Sequence, residues 1–292
     1  MEKYPTLFGC ATGGDGSIIV IGVPYDRGTD SGHAGCAAAP SLLRRLSSPE
    51  HFRVKNGELY DLAKRETIFR GHVVSDLGNI RFRATHHTDD EYLEFVAQAV
   101  AAVARKGKKP LVLGGDHLVT LAVLRGLSQA GRAFQVLQFD AHHDYDVIGT
   151  GERPTHASFM SFVAAEGLAK QVIQVGVRGL AWGAPPAPNG ITMATVTALK
   201  EVLMRDVDVY VTVDTDAFDP AVAPAVSYPV PEGLPFAALG AALEQLRLAG
   251  LNVIGADWTE YNPTFDTANN ITGRVILRGL SQLIQSLADA RG

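Results

Sequence analysis

Eight short apolar runs, most rich in β-branched residues, alternate with segments of helical periodicity along the whole chain. They cover residues 18–23, 72–77, 110–114, 134–140, 171–177, 191–194, 207–213 and 252–256, and each reads as a strand. A strand that is apolar at every position is buried on both faces, and such strands pair in parallel beneath covering helices. The clearest helix opens at Thr88-Asp-Asp-Glu91, which has the form of a capping box. It places Tyr92, Val96, Ala99, Val100 and Val103 on one face and closes at Arg105, Lys106 and Gly107. Further helices are expected over residues 38–46, 118–129, 158–168, 235–249 and 274–287, whereas 51–70 has no readable period. No linker, repeat or charge run marks a boundary. The pattern predicts one α/β domain over residues 1–292, a three-layer α/β/α sandwich with a mainly parallel, eight-stranded sheet.

Composition removes several function classes. The net charge of −5 and the lack of a Lys/Arg block argue against nucleic acid as a partner. The apolar runs fall well short of the roughly 18 residues that a membrane span needs, and the start of the chain does not read as a signal peptide. Cys10 and Cys36 show no pairing pattern, which fits a reducing, cytoplasmic setting.

The residues able to do chemistry share one address, the C-terminal ends of strands. Gly114-Gly-Asp-His117, Asp140-Ala-His-His-Asp144, Asp214-Thr-Asp-Ala-Phe-Asp-Pro220 and Thr259-Glu-Tyr-Asn-Pro263 each follow an apolar run. Open parallel sheets bind ligands at that edge. If strand geometry continues past Phe139, a period of two turns Asp140, His142 and Asp144 to one side; Asp214 and Asp216 are also two apart. Crowded carboxylates and imidazoles cost folding energy unless a divalent cation offsets the repulsion. An isolated Asp-rich turn is most often just solvated, but several such clusters at one sheet edge argue for a metal site. The candidate ligands are His117, Asp140, His142, Asp144, Asp214 and Asp216. They hold too many carboxylates for a single zinc and include no thiolate. Mn²⁺ suits an oxygen-rich set with some nitrogen, with Ni²⁺, Co²⁺ and Zn²⁺ left open. Six ligands with two bridging carboxylates suit a pair of ions roughly 3.5–4 Å apart.

Other polar residues have plainer readings. His143 and Tyr145 alternate away from the ligand face and read as packing or supporting groups; Asp116 reads as an orienter of His117 or its loop. Asp219 reads as a turn former and His86-His87 as exposed, while Asp26 and His33 lie in a loop that could reach the pocket. Two Pro-rich stretches, 180–189 and 220–235, follow strands and could wall that pocket.

GGDH (114–117), DAHHD (140–144) and DTDAFDP (214–220), in this order, resemble the three metal-binding signatures of the ureohydrolases, the family of arginases and agmatinases. The resemblance runs from Gly22-Val-Pro-Tyr-Asp26 to Glu260-Tyr-Asn-Pro263 and implies the arginase-like sandwich, in agreement with the strand count. It implies two Mn²⁺ per chain: one held by His117, Asp140, Asp144 and Asp214, the other by Asp140, His142, Asp214 and Asp216, with Asp140 and Asp214 bridging. It implies that Glu260 receives the substrate guanidinium, a planar cation that a carboxylate matches well. His156, in Thr155-His-Ala157, would be the proton shuttle, with Asp144 as the alternative proton source. A trimeric or hexameric homo-oligomer is implied in the same way. The plainer readings are a loop or capping carboxylate for Glu260 and a solvated loop histidine for His156.

Three departures bear on the substrate. Ala157 stands where many members have Gly; residues 149–155 lack the Asn-containing pattern with which arginases grip the amino-acid end of arginine; and Gln171-Val-Ile-Gln-Val-Gly-Val-Arg178 is more like the agmatinase branch. The expected activity is Mn²⁺-dependent cleavage of a terminal guanidino group, in agmatine or another ω-guanidino compound, to urea and a primary amine. The rivals are hydrolysis of a peptidyl arginine or guanidino natural product, hydrolysis of a formimino group, and a non-catalytic sensor of guanidino ligands.

Overall fold

In the computed structural model the described residues are 5–29, 32–48, 58–69, 73–83, 88–146, 152–180 and 186–289. The apolar runs are strands buried on both sides: β2 (Ile18–Gly22), β6 (Lys109–Leu113), β7 (Phe134–Phe139), β8 (Val172–Val175), β10 (Asp208–Asp214) and β11 (Val253–Thr259). With β1 (Ala11–Thr12), β5 (Val74–Asn79) and β9 (Ile191–Met193) they form one sheet in the order β1-β5-β2-β6-β11-β10-β7-β8-β9. Every pairing in it is parallel.

Alternate side chains of one strand enter opposite layers, as the pleat requires. Ile18 and Val20 pack in one core with α1 (Ala39–Leu46), α6 (Ala237–Leu248) and α7 (Ile271–Asp289). Ile19 and Ile21 pack in the other with α2 (Asp89–Arg105), α3 (Leu118–Gln129) and α4 (Phe159–Ala165). Thr88 and Glu91 do form a capping box at the start of α2. Gly279 lets α7 lie against the sheet, because a Cβ there would stand 2.2 Å from the Trp258 ring.

All eight expected strands are present, and the sheet has a ninth, β1. It is two exposed residues at the sheet edge, too short and too polar in setting to show a period. The stretch without a readable pattern contains an antiparallel pair, β3 (Leu59–Asp61) and β4 (Glu66–Phe69), with the short helix α5 (Leu199–Val202) as a further unforeseen element. The expected helix at 158–168 is shorter, since Gly167 turns left-handed at φ +61°, and α7 starts three residues earlier than expected. His72, His86 and His87 lie outside the described residues. No helix among the described residues is long and apolar enough to cross a membrane.

Candidate metal centre

Four neighbouring strands, β6, β11, β10 and β7, deliver their C-terminal ends to one place. After β6 the chain crosses through Gly114 and Gly115 to His117, the residue before α3. A Cβ on Gly115 would overlap the Tyr25 carbonyl at 1.6 Å, so glycine alone lets this turn pass. After β7 the strand stops at Phe139, and Asp140, His142 and Asp144 converge through a tight turn rather than through a continuing pleat. The His142 amide donates to Asp140 Oδ1 at 2.6 Å, and Asp144 adopts φ +52°, a left-handed conformation uncommon for a non-glycine residue. After β10 a single 3₁₀ turn, Thr215–Ala217, brings Asp216 beside Asp214, whose Oδ1 accepts the Asp216 amide at 2.8 Å.

The convergence is close. His117 Nδ1 lies 3.0 Å from Asp140 Oδ2, 3.0 Å from Asp144 Oδ2 and 3.1 Å from Asp214 Oδ2. His142 Nδ1 lies 3.0 Å from Asp216 Oδ2 and 3.7 Å from Asp140 Oδ1. Two overlapping donor groups result, His117/Asp140/Asp214 and Asp140/His142/Asp216, with Asp140 in both. Adjacent ligands of an octahedral ion at roughly 2.1 Å stand about 3.0 Å apart, so these spacings are those of a ligand shell. His117 Nδ1 is buried and has no hydrogen-bond partner, the state of a lone pair kept for an ion. The residues present therefore fit divalent metal.

The electrostatics agree. Burial, then repulsion from Asp140, pushes the carboxyls of Asp144 and Asp216 above the usual range; for Asp214 burial, then Asp216 and Asp140, does the same. Burial would also push Asp140 up, but the His117 and His142 imidazoles beside it hold it below the usual range. Burial would lower His142, yet Asp140 and Asp216 raise it to about 12; His117 is likewise raised by Asp140, Asp144 and Asp214 against its burial. Protons on the imidazoles and carboxyls offset much of the repulsion, and a divalent cation can replace them.

All of these groups but Asp140 border a cavity of about 390 Å³ that His143, Asp146, His156, Arg178, Tyr228 and Glu260 also line. β11 runs to Thr259, three residues past its expected end, so Glu260 is the first residue beyond it. Glu260 is 5% exposed and left-handed at φ +58°. Its Oε1 accepts the His117 amide at 2.8 Å and lies 3.5 Å from His156 Nδ1, and its Oε2 accepts the Cys36 thiol at 3.5 Å. All eight residues expected in the site are thus brought together. The arginase family model matches residues 16–285.

The chain belongs to the arginase family.

Arginases and agmatinases of the family are metal-dependent hydrolases of guanidino C–N bonds, and this protein is a hydrolase of C–N bonds in linear amidines. It is 28% identical to the mitochondrial arginase 1 of Arabidopsis thaliana, over 94% of this chain and 82% of that one. It is 30% identical to an agmatinase of Neisseria meningitidis, over 86% of this chain and 81% of that one. The solved structure of a proclavaminate amidino hydrolase from Streptomyces clavuligerus superposes with a TM-score of 0.78 at 26% identity, covering 99% of this chain and 98% of that one.

Beneath the candidate ligands of this family member lies a layer that the sequence reading missed. Gln174, Gln138, Thr212 and Asp257 pair in register across β8, β7, β10 and β11, and none is more than 1% exposed. Gln138 donates to Asp140 Oδ2 at 2.7 Å, and Gln174 donates to Gln138 Oε1 at 2.8 Å. Thr212 donates to Asp257 Oδ1 at 2.6 Å, which leaves the Thr212 oxygen to accept from His117 Nε2 at 2.9 Å. A neutral His117 held this way keeps its lone pair on Nδ1, toward the carboxylates. The signal was present: Gln138 and Thr212 stand two residues before Asp140 and Asp214, polar breaks in apolar strands.

The plainer readings divide. Asp116 accepts amides from Gly28 and Leu118 and shapes its own loop; Asp219 accepts those of Ala221 and Gly233 in a turn; Asp26 accepts those of Gly35 and Ala37. Tyr145 is buried, whereas His143 stacks on it and reaches the cavity wall that the alternation argument had turned it from. His33 packs on Tyr228 with ring centroids 4.5 Å apart, behind the wall rather than in it.

Proposed function

We propose that this protein is a dinuclear Mn²⁺ amidinohydrolase that cleaves agmatine-like ω-guanidino compounds to urea and a primary amine. The observation that carries the reading is the unpartnered His117 Nδ1 ringed by three carboxylate oxygens at 3.0–3.1 Å. His117, Asp140, Asp144 and Asp214 would hold one ion and Asp140, His142, Asp214 and Asp216 the other. Bound there, the ions would lower the pKa of water so that a nucleophile forms at neutral pH.

The chain's own residues supply the rest. Glu260 pairs with the guanidinium and turns its central carbon toward the ions. Two hydrogen bonds, from the His117 amide and the Cys36 thiol, fix the carboxylate in that task. His156, 3.5 Å from Glu260, stands beside the bound guanidinium and delivers a proton to the departing amine nitrogen, with water or Asp144 as the alternative proton source.

The charged residues that line the cavity beside the candidate ligands favour a substrate without a carboxylate tail. Arg178 is the one arginine or lysine among the described residues lining it, and its guanidinium hydrogens are committed to main-chain carbonyls. Asp146 adds a negative charge there, its side chain 62% exposed. An ammonium tail suits that rim better than the amino-acid head of arginine. A cytoplasmic setting, read from the cysteine usage, and a trimeric or hexameric assembly, implied by the family resemblance, accompany the reading.

The test is a product screen of Mn²⁺-loaded protein against agmatine, 4-guanidinobutyrate, L-arginine, an arginine-containing peptide and formiminoglutamate. Agmatine should give urea with the highest kcat/KM. A preference for free arginine would overturn the tail argument, and formamide from formiminoglutamate would overturn the guanidino reading. Saturable binding of agmatine without turnover would leave a sensor.

A further inference from the structure

Arg178 stands at the meeting point of three loops. Its main-chain amide donates to Ala141 O at 3.0 Å, inside the turn that carries Asp140 and His142. Its guanidinium reaches Gly176 O at 3.0 Å and Ala217 O at 3.1 Å through one terminal nitrogen. The other reaches Asp216 O at 2.8 Å, Val230 O at 2.7 Å and Phe218 O at 3.5 Å, and Nε reaches Pro231 O at 3.0 Å. One side chain thus joins the ligand turn after β10 to the Pro-rich wall at 230–231, while its backbone joins the ligand turn after β7.

The choice of acceptors matters. An arginine this near the ligands could pair with a carboxylate, and it would then compete with any cation for that ligand. Arg178 instead grips the carbonyl of Asp216 and leaves its carboxylate free. That carboxylate accepts the Ala141 amide at 3.0 Å and faces His142 Nδ1 at 3.0 Å. The same loop presses on the other ligand turn, since a Cβ on Gly176 would stand 2.8 Å from Asp140 O.

We infer that Arg178 is a positioning residue that sets ion affinity on the His142/Asp216 side and the shape of the pocket wall together, by holding both ligand turns and residues 230–231 in one fork. The inference rests on reading the cluster as a metal site. A guanidinium has five donors in a fixed plane and can serve all three loops at once, whereas a lysine ammonium serves one direction at a time. Charge alone is therefore not enough; the span of the fork is what counts.

The test is a calorimetric titration of chelator-stripped protein with Mn²⁺ alone, for the wild type, Arg178→Met and Arg178→Lys. Wild type should take two ions. Arg178→Met should hold one of the two ions, that on the His142/Asp216 side, about 10–100-fold less tightly, the scale of lost support around metal ligands. Arg178→Lys should recover little of that loss, and in both variants KM should rise by a larger factor than kcat falls. A wild type that binds no divalent ion would defeat the metal reading itself. A wild type that binds two, with Arg178→Met binding them equally well, would overturn this inference even if the variant melts earlier. Should Arg178→Met not fold, Arg178→Lys decides: wild-type Mn²⁺ affinity there would overturn the requirement for the fork, and lowered affinity would support it.

Discussion

Asp76 in β5 and Asp214 at the end of β10 are both only 3% exposed, yet the chain surrounds them in opposite ways. Asp76 is complete. Its Oδ2 accepts Arg44 Nε at 2.8 Å and the Leu7 amide at 2.9 Å, and its Oδ1 accepts Arg44 Nη2 and the Gly78 amide, each at 2.8 Å. Arg44 supplies a full positive charge and is itself buried. Asp214 has one amide and one shared imidazole, and burial, then two neighbouring carboxylates, push its own carboxyl upward. A buried charge that serves the fold arrives with its counter-charge in the sequence. One that serves chemistry is left for a cation from solution to complete.

The largest effect should come from deleting one of the two ligands proposed to be shared by both ions. Asp140→Ala or Asp214→Ala should abolish binding of both ions and bring activity to background, by metal analysis and urea release. The contrast is sharpest in the metal-free protein. Asp214 has its carboxyl raised, so ionisation at neutral pH works against folding there, and Asp214→Ala should unfold in urea no earlier than the wild type. A clear loss of stability without metal would break the comparison.

Next in size is the opposite experiment. Arg44→Met strands Asp76 and should destabilise by about 3–5 kcal/mol, as a half-removed buried pair does. Denaturant melts with and without Mn²⁺ should show the same loss, since this pair owes nothing to the ions. His156→Asn should keep ion content and substrate affinity while lowering kcat by on the order of 10²-fold, the scale of one general acid. Added imidazole should restore part of the rate; full activity at every pH would return His156 to a loop residue.

The smallest effect concerns Asp61, a structural carboxylate like Asp76 but with a partner that reaches solvent, which meets Arg278 at 2.6 Å and the Ala63 and Lys64 amides. Burial opposes ionisation, but those bonds outweigh it and hold the carboxyl below its usual value. Its contribution is therefore present above the ordinary carboxylate range and is lost as pH falls through the depressed value. Asp61→Asn should cost under about 1 kcal/mol at neutral pH, and the difference from wild type should close in acid.

The apolar strands, the Thr88 capping box and the three ligand motifs could be read from sequence because each depends on neighbours in the chain. The polar layer could not be assembled in the same way. Gln138, Thr212 and Asp257 are visible as polar breaks, but their alignment depends on strand order and register, which no local period encodes. Arg178 was hidden for the same reason: its acceptors lie up to 53 residues away along the chain. The turn after β7 shows the limit of periodicity itself. Alternation suggested the right gathering of Asp140, His142 and Asp144 and also sent His143 away from the cavity, because the strand ends at Phe139.

Asp144 combines a crowded carboxylate with a left-handed backbone at φ +52°. Glycine at that position would relieve both strains at once, and residues held in such conformations cost on the order of 1–3 kcal/mol each. A library of variants sorted only for heat resistance, with metal withheld, would be drawn toward replacing this residue. Thermal selection of this fold should therefore be run with the ions present, so that the aspartate's contribution counts in its favour.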